Sequence, residues 1–138
     1  MSKALLISVD VKDCDKIFRL GHATIKIKGS PCRIGLPFKV YVHEKQHRAV
    51  EGIGSGNVVG EFICKNIIYK GNSECELAII CPMYYDMPLH IKDFCRPCGR
   101  PLECTCDYCK EHGASSPLSS APTIFTYVES LPEGDVIC

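Results

Sequence analysis

In residues 4–28, ALLISVDVKDCDKIFRLGHATIKIK, the spacing of the apolar residues changes twice. The first six, ALLISV, form a short apolar run of the kind that predicts a buried strand. Asp10 then stands as the N-cap of a helix whose apolar residues recur at helical spacing, and Gly21 follows at the position of a C-cap. Between Ala23 and Lys28 apolar and polar residues alternate, as in a strand with one face in water. The segment therefore predicts a strand, one short helix and a second strand.

Four further segments are predicted as strands between turn-rich loops: residues 37–44, 58–70, 75–85 and 123–132. In the first, PFKVYVHE, the apolar residues are expected on a buried face, and Lys39, Tyr41 and His43 on a face in water. The second is either one long strand or two strands broken near Lys65, and Pro82 is expected to end the third. With five to seven short strands, one early helix and no helical crossovers, the chain predicts an α+β, mainly β fold built as a small barrel.

The size and composition of the chain predict one soluble domain. Its 138 residues suffice for a single core, and hydrophobic residues make up 46% and charged residues 23%. No apolar run approaches the roughly 20 residues of a membrane span, and the first residues lack the features of a secretory signal. We therefore expect a cytoplasmic protein with reduced thiols and no membrane partner.

Five of the 11 cysteines lie within residues 95–109, CRPCGRPLECTCDYC. Two CxxC pairs separated by a short loop can present four thiolates to one tetrahedral ion, so the spacing predicts a structural zinc. An iron–sulfur cluster would use the same ligand type, whereas the expected compartment disfavours disulfides and a thioredoxin-like pair would need a βαβ unit. The predicted ligands are Cys95, Cys98, Cys106 and Cys109, with Cys104 or His112 as alternates.

The predicted zinc defines the organisation of the second half of the chain. Residues 90–112 are expected to form a zinc-stapled loop insert, and residues 113–122 a Ser/Pro-rich linker. The scattered cysteines are expected to act as small apolar residues: Cys14, Cys32, Cys64, Cys75, Cys81 and Cys138.

The net charge of zero conceals an uneven distribution. Residues 1–70 contain 12 Lys and Arg against 6 Asp and Glu, and residues 71–138 contain 4 against 10. Such asymmetry indicates either a one-sided surface for phosphates or a solvated basic face that complements the acidic half.

The order of these segments resembles the ASCH family, small β-barrels related to the PUA fold. The matching segments are ALLISV, KIFRLGHATIKIK, PFKVYVH and GNVVGEFICKNI within residues 4–69, and more loosely APTIFTYVE at residues 121–129. Similar sequences in bacterial and phage genomes carry a cysteine-containing insert. The resemblance implies a nucleic-acid-binding protein, with RNA as the expected partner.

The second strand departs from the family pattern, which is close to G-x-K-T-x-E-x-R. Gly21 and Thr24 match it, whereas Ala23 replaces its lysine, Lys26 its glutamate and Lys28 its arginine. Some members are amidohydrolases that act on modified nucleosides and use a lysine, a threonine and a glutamate. Without the lysine at position 23, such chemistry lacks the base expected to activate Thr24.

The sequence thus predicts a non-catalytic module that binds RNA or another single strand and is stabilised by structural zinc. The predicted contact residues are His22, Thr24, Lys26, Lys28, Arg33, Lys39, Tyr41 and His43. Tyr41, and after it Tyr69, is the candidate ring for stacking on a base. One alternative is a phage-type inhibitor whose acidic half binds a nucleic-acid-handling protein. Another is a divergent nucleoside amidohydrolase or nuclease in which His22 or His43 activates Thr24.

Overall fold

The computed structural model describes residues 3–31, 34–45, 57–97, 115–117, 122 and 124–131. The elements, in chain order, are β1 (Lys3–Val9), α1 (Val11–Phe18), β2 (Thr24–Lys28), β3 (Phe38–Glu44), β4 (Asn57–Gly71), β5 (Glu74–His90), a 3₁₀ helix (Ile91–Asp93), β6 (Cys95–Pro97), β7 (Ser115–Pro117) and β8 (Phe125–Glu129). The predicted α+β, mainly β class is confirmed.

Six of the strands form one sheet in the order β2-β5-β4-β3-β1-β8, and β6 pairs with β7 in a separate two-stranded sheet. Within the large sheet β1 and β3 run parallel, and the other neighbours are antiparallel. No strand pairing in the described part of the chain closes the sheet, so β2 and β8 are its edges. The edges nevertheless approach each other, because a methyl group on Gly29 would lie 3.0 Å from Cε2 of Phe125.

Helix α1 begins where the sequence places its N-cap. The side chain of Asp10 accepts a hydrogen bond from the backbone N–H of Asp13 at 2.8 Å, which satisfies one free donor of the first turn. Gly21 adopts a φ of +66° after the helix, a conformation that residues with side chains rarely adopt. Cys14 and Ile17 are buried, so α1 packs one face onto the sheet.

Strands β4 and β5 form a long hairpin. Asn72 and Ser73 connect them with φ values of 53° and 59°, which match the two-residue turn favoured between antiparallel strands. The break expected near Lys65 is a shift of register within one strand, between Cys64 and Ile67. Residues 58–70 therefore belong to one long strand, the first of the two predicted possibilities.

The prediction that Pro82 ends its strand is wrong, since β5 continues to His90. Pro82 lies where the pairing with β4 is irregular, between Glu61 and Ile63, and the preceding Cys81 has a φ of 54°. A proline has no N–H to donate, and an irregular stretch of the ladder does not require one.

The first core lies between α1 and one face of the sheet. Burying each large aliphatic or aromatic side chain stabilises the fold by about 1.5–3 kcal/mol. Its buried residues are Leu5, Ile7, Val9, Cys14, Ile17, Ile25, Ile27, Phe38, Val40, Val42, Val59, Phe62, Cys64, Cys75 and Leu77.

A second core covers the other face of β1 and β3, formed by Ala4, Leu6, Tyr41, Val58, Ile91, Phe94 and Val128. Ile91 and Phe94 follow β5 and open the predicted insert, so the start of residues 90–112 belongs to the core. Because both faces of β3 are covered, the predicted wet face of this strand is wrong. Tyr41 is 0% and His43 only 5% exposed.

Candidate nucleic-acid interface

Strand β2 presents two lysines to solvent. Ile25 and Ile27 are buried, whereas Lys26 and Lys28, which alternate with them, are exposed, as the alternation predicts. Because β2 is an edge strand whose outer face carries no covering layer in the described part of the chain, the polar residues remain accessible. The edge position thus supplies the cationic surface.

The neighbouring strand places glutamates beside these lysines. In the β2–β5 register Lys26 lies opposite Glu76 and Lys28 opposite Glu74. Glu76, however, binds Lys70 of β4 at 2.8 Å, and this hydrogen bond is the main reason why the pKa of its carboxyl is lowered. Among the described residues, neither Lys26 nor Lys28 forms an ion pair within 4.0 Å.

A cleft of about 370 Å³ lies where the open edges of the sheet face each other. Its walls are Lys26, Ile27 and Lys28 on one side and Ser8, Val9, Asp10, Asp13, Lys45 and Ile124 on the other. We call it the seam cleft. Its three lysines come from β2 and from the residue after β3, segments that are not adjacent in the sequence.

The two carboxylates of the seam cleft are already engaged. Asp10 caps α1, and Asp13 lies 3.5 Å from Lys16. The three lysines therefore remain available for an anion that enters the cleft, and the first turn of α1 adds a positive dipole end on the same side. Phosphate is the anion that such donors bind in nucleic acids.

Lys39 does not face solvent as predicted. Its ammonium group lies 3.1 Å from Oε2 of Glu61, and the side chains of the two residues are 17% and 2% exposed. The other carboxylate oxygen of Glu61 accepts a hydrogen bond of 2.6 Å from the Tyr85 hydroxyl. Lys39 is thus part of a buried polar cluster, and its charge is neutralised inside the protein.

The predicted stacking role of Tyr41 is excluded by its burial. Its ring packs edge-on against Phe94 with 4.7 Å between centroids, and its hydroxyl accepts a hydrogen bond from the backbone N–H of Leu131 at 2.9 Å. A ring with 0% exposure has no face for a base. Tyr69, the second candidate, is 61% exposed near the tip of the β4–β5 hairpin.

His43 is likewise removed from the predicted interface. Its Nδ1 lies 3.0 Å from Oγ of Ser8, its neighbour in the β1–β3 register, and burial together with the Lys45 charge lowers its pKa. Strands β4 and β5 separate β3 from β2 in the sheet, so His43 is not paired with Thr24. Thr24 donates instead to Glu76 at 3.3 Å.

Two other predicted contact residues flank this surface in the sequence. His22 is exposed just before β2, and its backbone N–H donates to the carbonyl of Lys16 at 3.0 Å. Arg33 lies outside the described residues.

The predicted zinc ligands fall almost entirely outside the described residues. The backbone of Cys95 pairs with Pro117 between β6 and β7. The remaining predicted ligands and alternates, Cys98, Cys104, Cys106, Cys109 and His112, lie beyond the described part of the chain. Within that part no group of three or more potential metal-binding side chains occurs.

Three scattered cysteines behave as predicted. Cys14, Cys64 and Cys75 are free, buried thiols, and burial raises the pKa of Cys64 to about 11. Cys81 differs because it is disulfide-bonded, and none of the three free thiols is its partner. The expectation that Cys81 is a simple apolar filler, in a chain where disulfides are disfavoured, is therefore wrong.

An apolar cavity near the end of β5 was not predicted. It has a volume of about 600 Å³ and is lined by Met83, Tyr84, Tyr85, Asp86, Met87, Leu89 and Leu131. Tyr84 and Met87 are 59% and 81% exposed. The sequence signal for it is the pair of tyrosines between two methionines, but no local pattern places these residues beside Leu131.

No helix in the described ranges is long and apolar enough to cross a membrane. Comparisons with models of protein families, with curated proteins and with solved structures find no match to this chain. The ASCH resemblance therefore stays a prediction supported by the residues quoted for it.

Proposed function

We propose that this protein binds single-stranded nucleic acid, RNA in particular, with phosphates on Lys26, Lys28 and Lys45. The observation that carries the proposal is the seam cleft, where three lysines without ion-pair partners among the described residues line one space large enough for a phosphate. Each lysine that neutralises a phosphate displaces counterions, so binding gains free energy and weakens with salt.

The cleft offers binding groups without an evident reaction centre. A phosphate oxygen would meet lysine donors, which position a nucleic-acid strand but do not read its sequence. The ASCH-like, PUA-like barrel belongs to the same proposal, since the two sheet edges that approach at Gly29 and Phe125 would be the seam of such a barrel.

The first test compares the affinity of labelled single-stranded RNA for three forms of the protein by fluorescence anisotropy. Lys26→Gln/Lys28→Gln should weaken binding about tenfold or more at low salt. Glutamine is chosen because glutamate would place like charges opposite Glu74 and Glu76. The control is Lys12→Gln/Lys65→Gln, which changes the net charge equally at exposed sites outside the cleft lining.

Equal losses in both double variants would contradict the proposal, because they would show a general charge effect. Retained affinity in Lys26→Gln/Lys28→Gln would also contradict it. The two lysines would then serve to keep an edge strand from pairing with other chains. A duplex of the same sequence tests the preference for single strands.

We also propose a structural zinc held by Cys95, Cys98, Cys106 and Cys109. Its support is the spacing of the two CxxC pairs, directly after a segment whose Ile91 and Phe94 lie in the second core. Mass spectrometry of the native protein should find about one zinc per chain, and chelation should loosen the packing around Phe94. Absence of metal together with rapidly reacting thiols in this segment would refute the site.

A second candidate function is favoured by one contact network. Glu76 accepts a hydrogen bond from Thr24 and binds Lys70, which brings together the three residue types that the resemblance attributes to nucleoside amidohydrolases. The Lys70 contact lowers the pKa of Glu76, which makes its carboxylate a weaker base toward Thr24. Hydrolysis of an N-acylated nucleoside to the carboxylic acid and the unmodified nucleoside, abolished by Thr24→Val, would establish this activity, and no turnover would exclude it for that substrate.

A further inference from the structure

The cavity near the end of β5 combines features of a binding site that the seam cleft lacks. Its volume of about 600 Å³ falls within the range of small-molecule sites, and its lining is mostly apolar. Two methionines contribute flexible, polarisable side chains, which adapt to flat ring systems. Leu89 and Leu131, which also line the cavity, pack against the second core.

One tyrosine of the cavity is held in place while part of its ring is open. Tyr84 contacts Phe18 of α1 edge-on, with 5.5 Å between centroids and 70° between planes, yet it is 59% exposed. Phe18 reaches this position because Gly60 leaves room, since a methyl group there would lie 2.5 Å from Cζ of Phe18. A fixed, accessible aromatic ring is what a base requires for stacking.

Among the described residues that line the cavity, Asp86 is the only one with a charged side chain. It is exposed and forms no ion pair among the described residues. An ionised carboxylate only accepts hydrogen bonds, so the complementary ligand must present N–H donors at the edge of its ring. Guanine presents two adjacent N–H donors on its Watson–Crick edge and therefore complements Asp86 better than the other bases.

We propose that this cavity binds a nucleobase, guanine in preference, stacked on Tyr84 and hydrogen-bonded to Asp86. The site deepens the proposed nucleic-acid binding, on which its biological role rests. Helix α1 connects the two places, because Asp13 lines the seam cleft and Phe18 contacts Tyr84. At about 1.5 Å per residue, the eight residues of α1 span about 12 Å.

The methionine methyl groups of the chain can report on binding at this site. The chain contains three methionines, and Met83 and Met87 line the cavity. Labelling the methionine methyl groups with carbon-13 and titrating with guanosine should shift the Met83 and Met87 signals, which Met83→Leu and Met87→Leu assign. Because guanosine carries no phosphate, the same shifts should appear in Lys26→Gln/Lys28→Gln.

Two variants separate stacking from a general effect on the surface. Tyr84→Ala should weaken the guanosine response by at least about fivefold. Ile68→Ala removes an exposed apolar side chain of the β4–β5 hairpin that does not line the cavity, and should leave the response unchanged. Asp86→Asn should lower the affinity for guanosine to the affinity that the wild type has for inosine, which lacks the exocyclic amino group.

Unmoved Met83 and Met87 signals at saturating guanosine would overturn the proposal, as would an undiminished response in Tyr84→Ala. Signals that shift with protein concentration alone would also overturn it, because a second copy of the chain would then cover the cavity. Guanosine binding without any RNA binding would support the cavity and refute the proposed function, so the two can fail separately.

Discussion

Strands β2 and β3 carry the same alternation of apolar and polar residues, yet only β2 presents its polar side chains to water. β2 is an edge strand, and its Lys26 and Lys28 are exposed. β3 lies inside the sheet, and its second face is covered by the segment that contains Ile91 and Phe94. Alternation therefore identifies a strand, and the position of the strand in the sheet decides whether its polar residues can bind a ligand.

The largest difference between the two strands should appear in stability. Tyr41→Ala should lower the free energy of unfolding by about 3–5 kcal/mol, because it leaves a cavity under Phe94. Lys26→Ala should change it by no more than about 0.5 kcal/mol. Urea unfolding measures both.

Tyr41→Phe keeps the ring and removes only the hydroxyl that binds the Leu131 N–H, and should cost about 1 kcal/mol. If Tyr41→Ala cost no more than Lys26→Ala, the second core would not exist as described, and Tyr41 would again be available to a base.

Lys39 should behave differently from the lysines of β2. Lys39→Met removes one partner of a nearly buried ion pair with Glu61 and should cost about 2 kcal/mol. Lys39→Met/Glu61→Gln removes the uncompensated charge as well and should recover part of the loss. If Lys39→Met were as stable as the wild type, Lys39 would be a solvated lysine. That result would contradict its place in the buried polar cluster.

A change of pH should have a smaller effect on the free energy of unfolding. Burial lowers the pKa of His43 below its ordinary value of 6.5. As the pH falls below about 6.5, the unfolded chain takes up a proton at His43 before the folded protein does, so the free energy of unfolding decreases. One such group contributes a slope of at most about 1.4 kcal/mol per pH unit.

Unfolding curves between pH 8 and pH 5 should therefore be less pH-dependent in His43→Gln than in the wild type. The comparison cancels contributions common to both proteins, such as proton uptake by cysteines. Identical slopes would mean that His43 titrates alike in both states and is not buried against Ser8.

Local patterns predicted the elements well, because their causes are local. The Asp10 cap, the left-handed Gly21 and the alternation of β2 depend on neighbouring residues. The extension of β5 past Pro82 could not be predicted, because the irregular pairing that tolerates a proline is made with β4. Burial of Tyr41 depends on residues about 50 positions away in the sequence, which no periodicity encodes.

The candidate site was predicted only in part, because some of its residues share one strand and others meet only in the folded sheet. Lys26 and Lys28 follow from the pattern of one strand, whereas Lys45 joins them only through the sheet order. Tyr84 was missed because the position of its ring depends on Phe18 and Gly60 of other elements.

The central claim is that the exposed lysines of β2 contact phosphates, and the salt dependence of RNA binding tests it most directly. The slope of log Kd against log salt should fall in magnitude by about 1.4 in Lys26→Gln/Lys28→Gln, because each phosphate contact to a single strand contributes about 0.7. Lys12→Gln/Lys65→Gln should retain the wild-type slope. Parallel lines for the wild type and both double variants would contradict the account, because the lysines of the seam cleft would then release no counterions on binding.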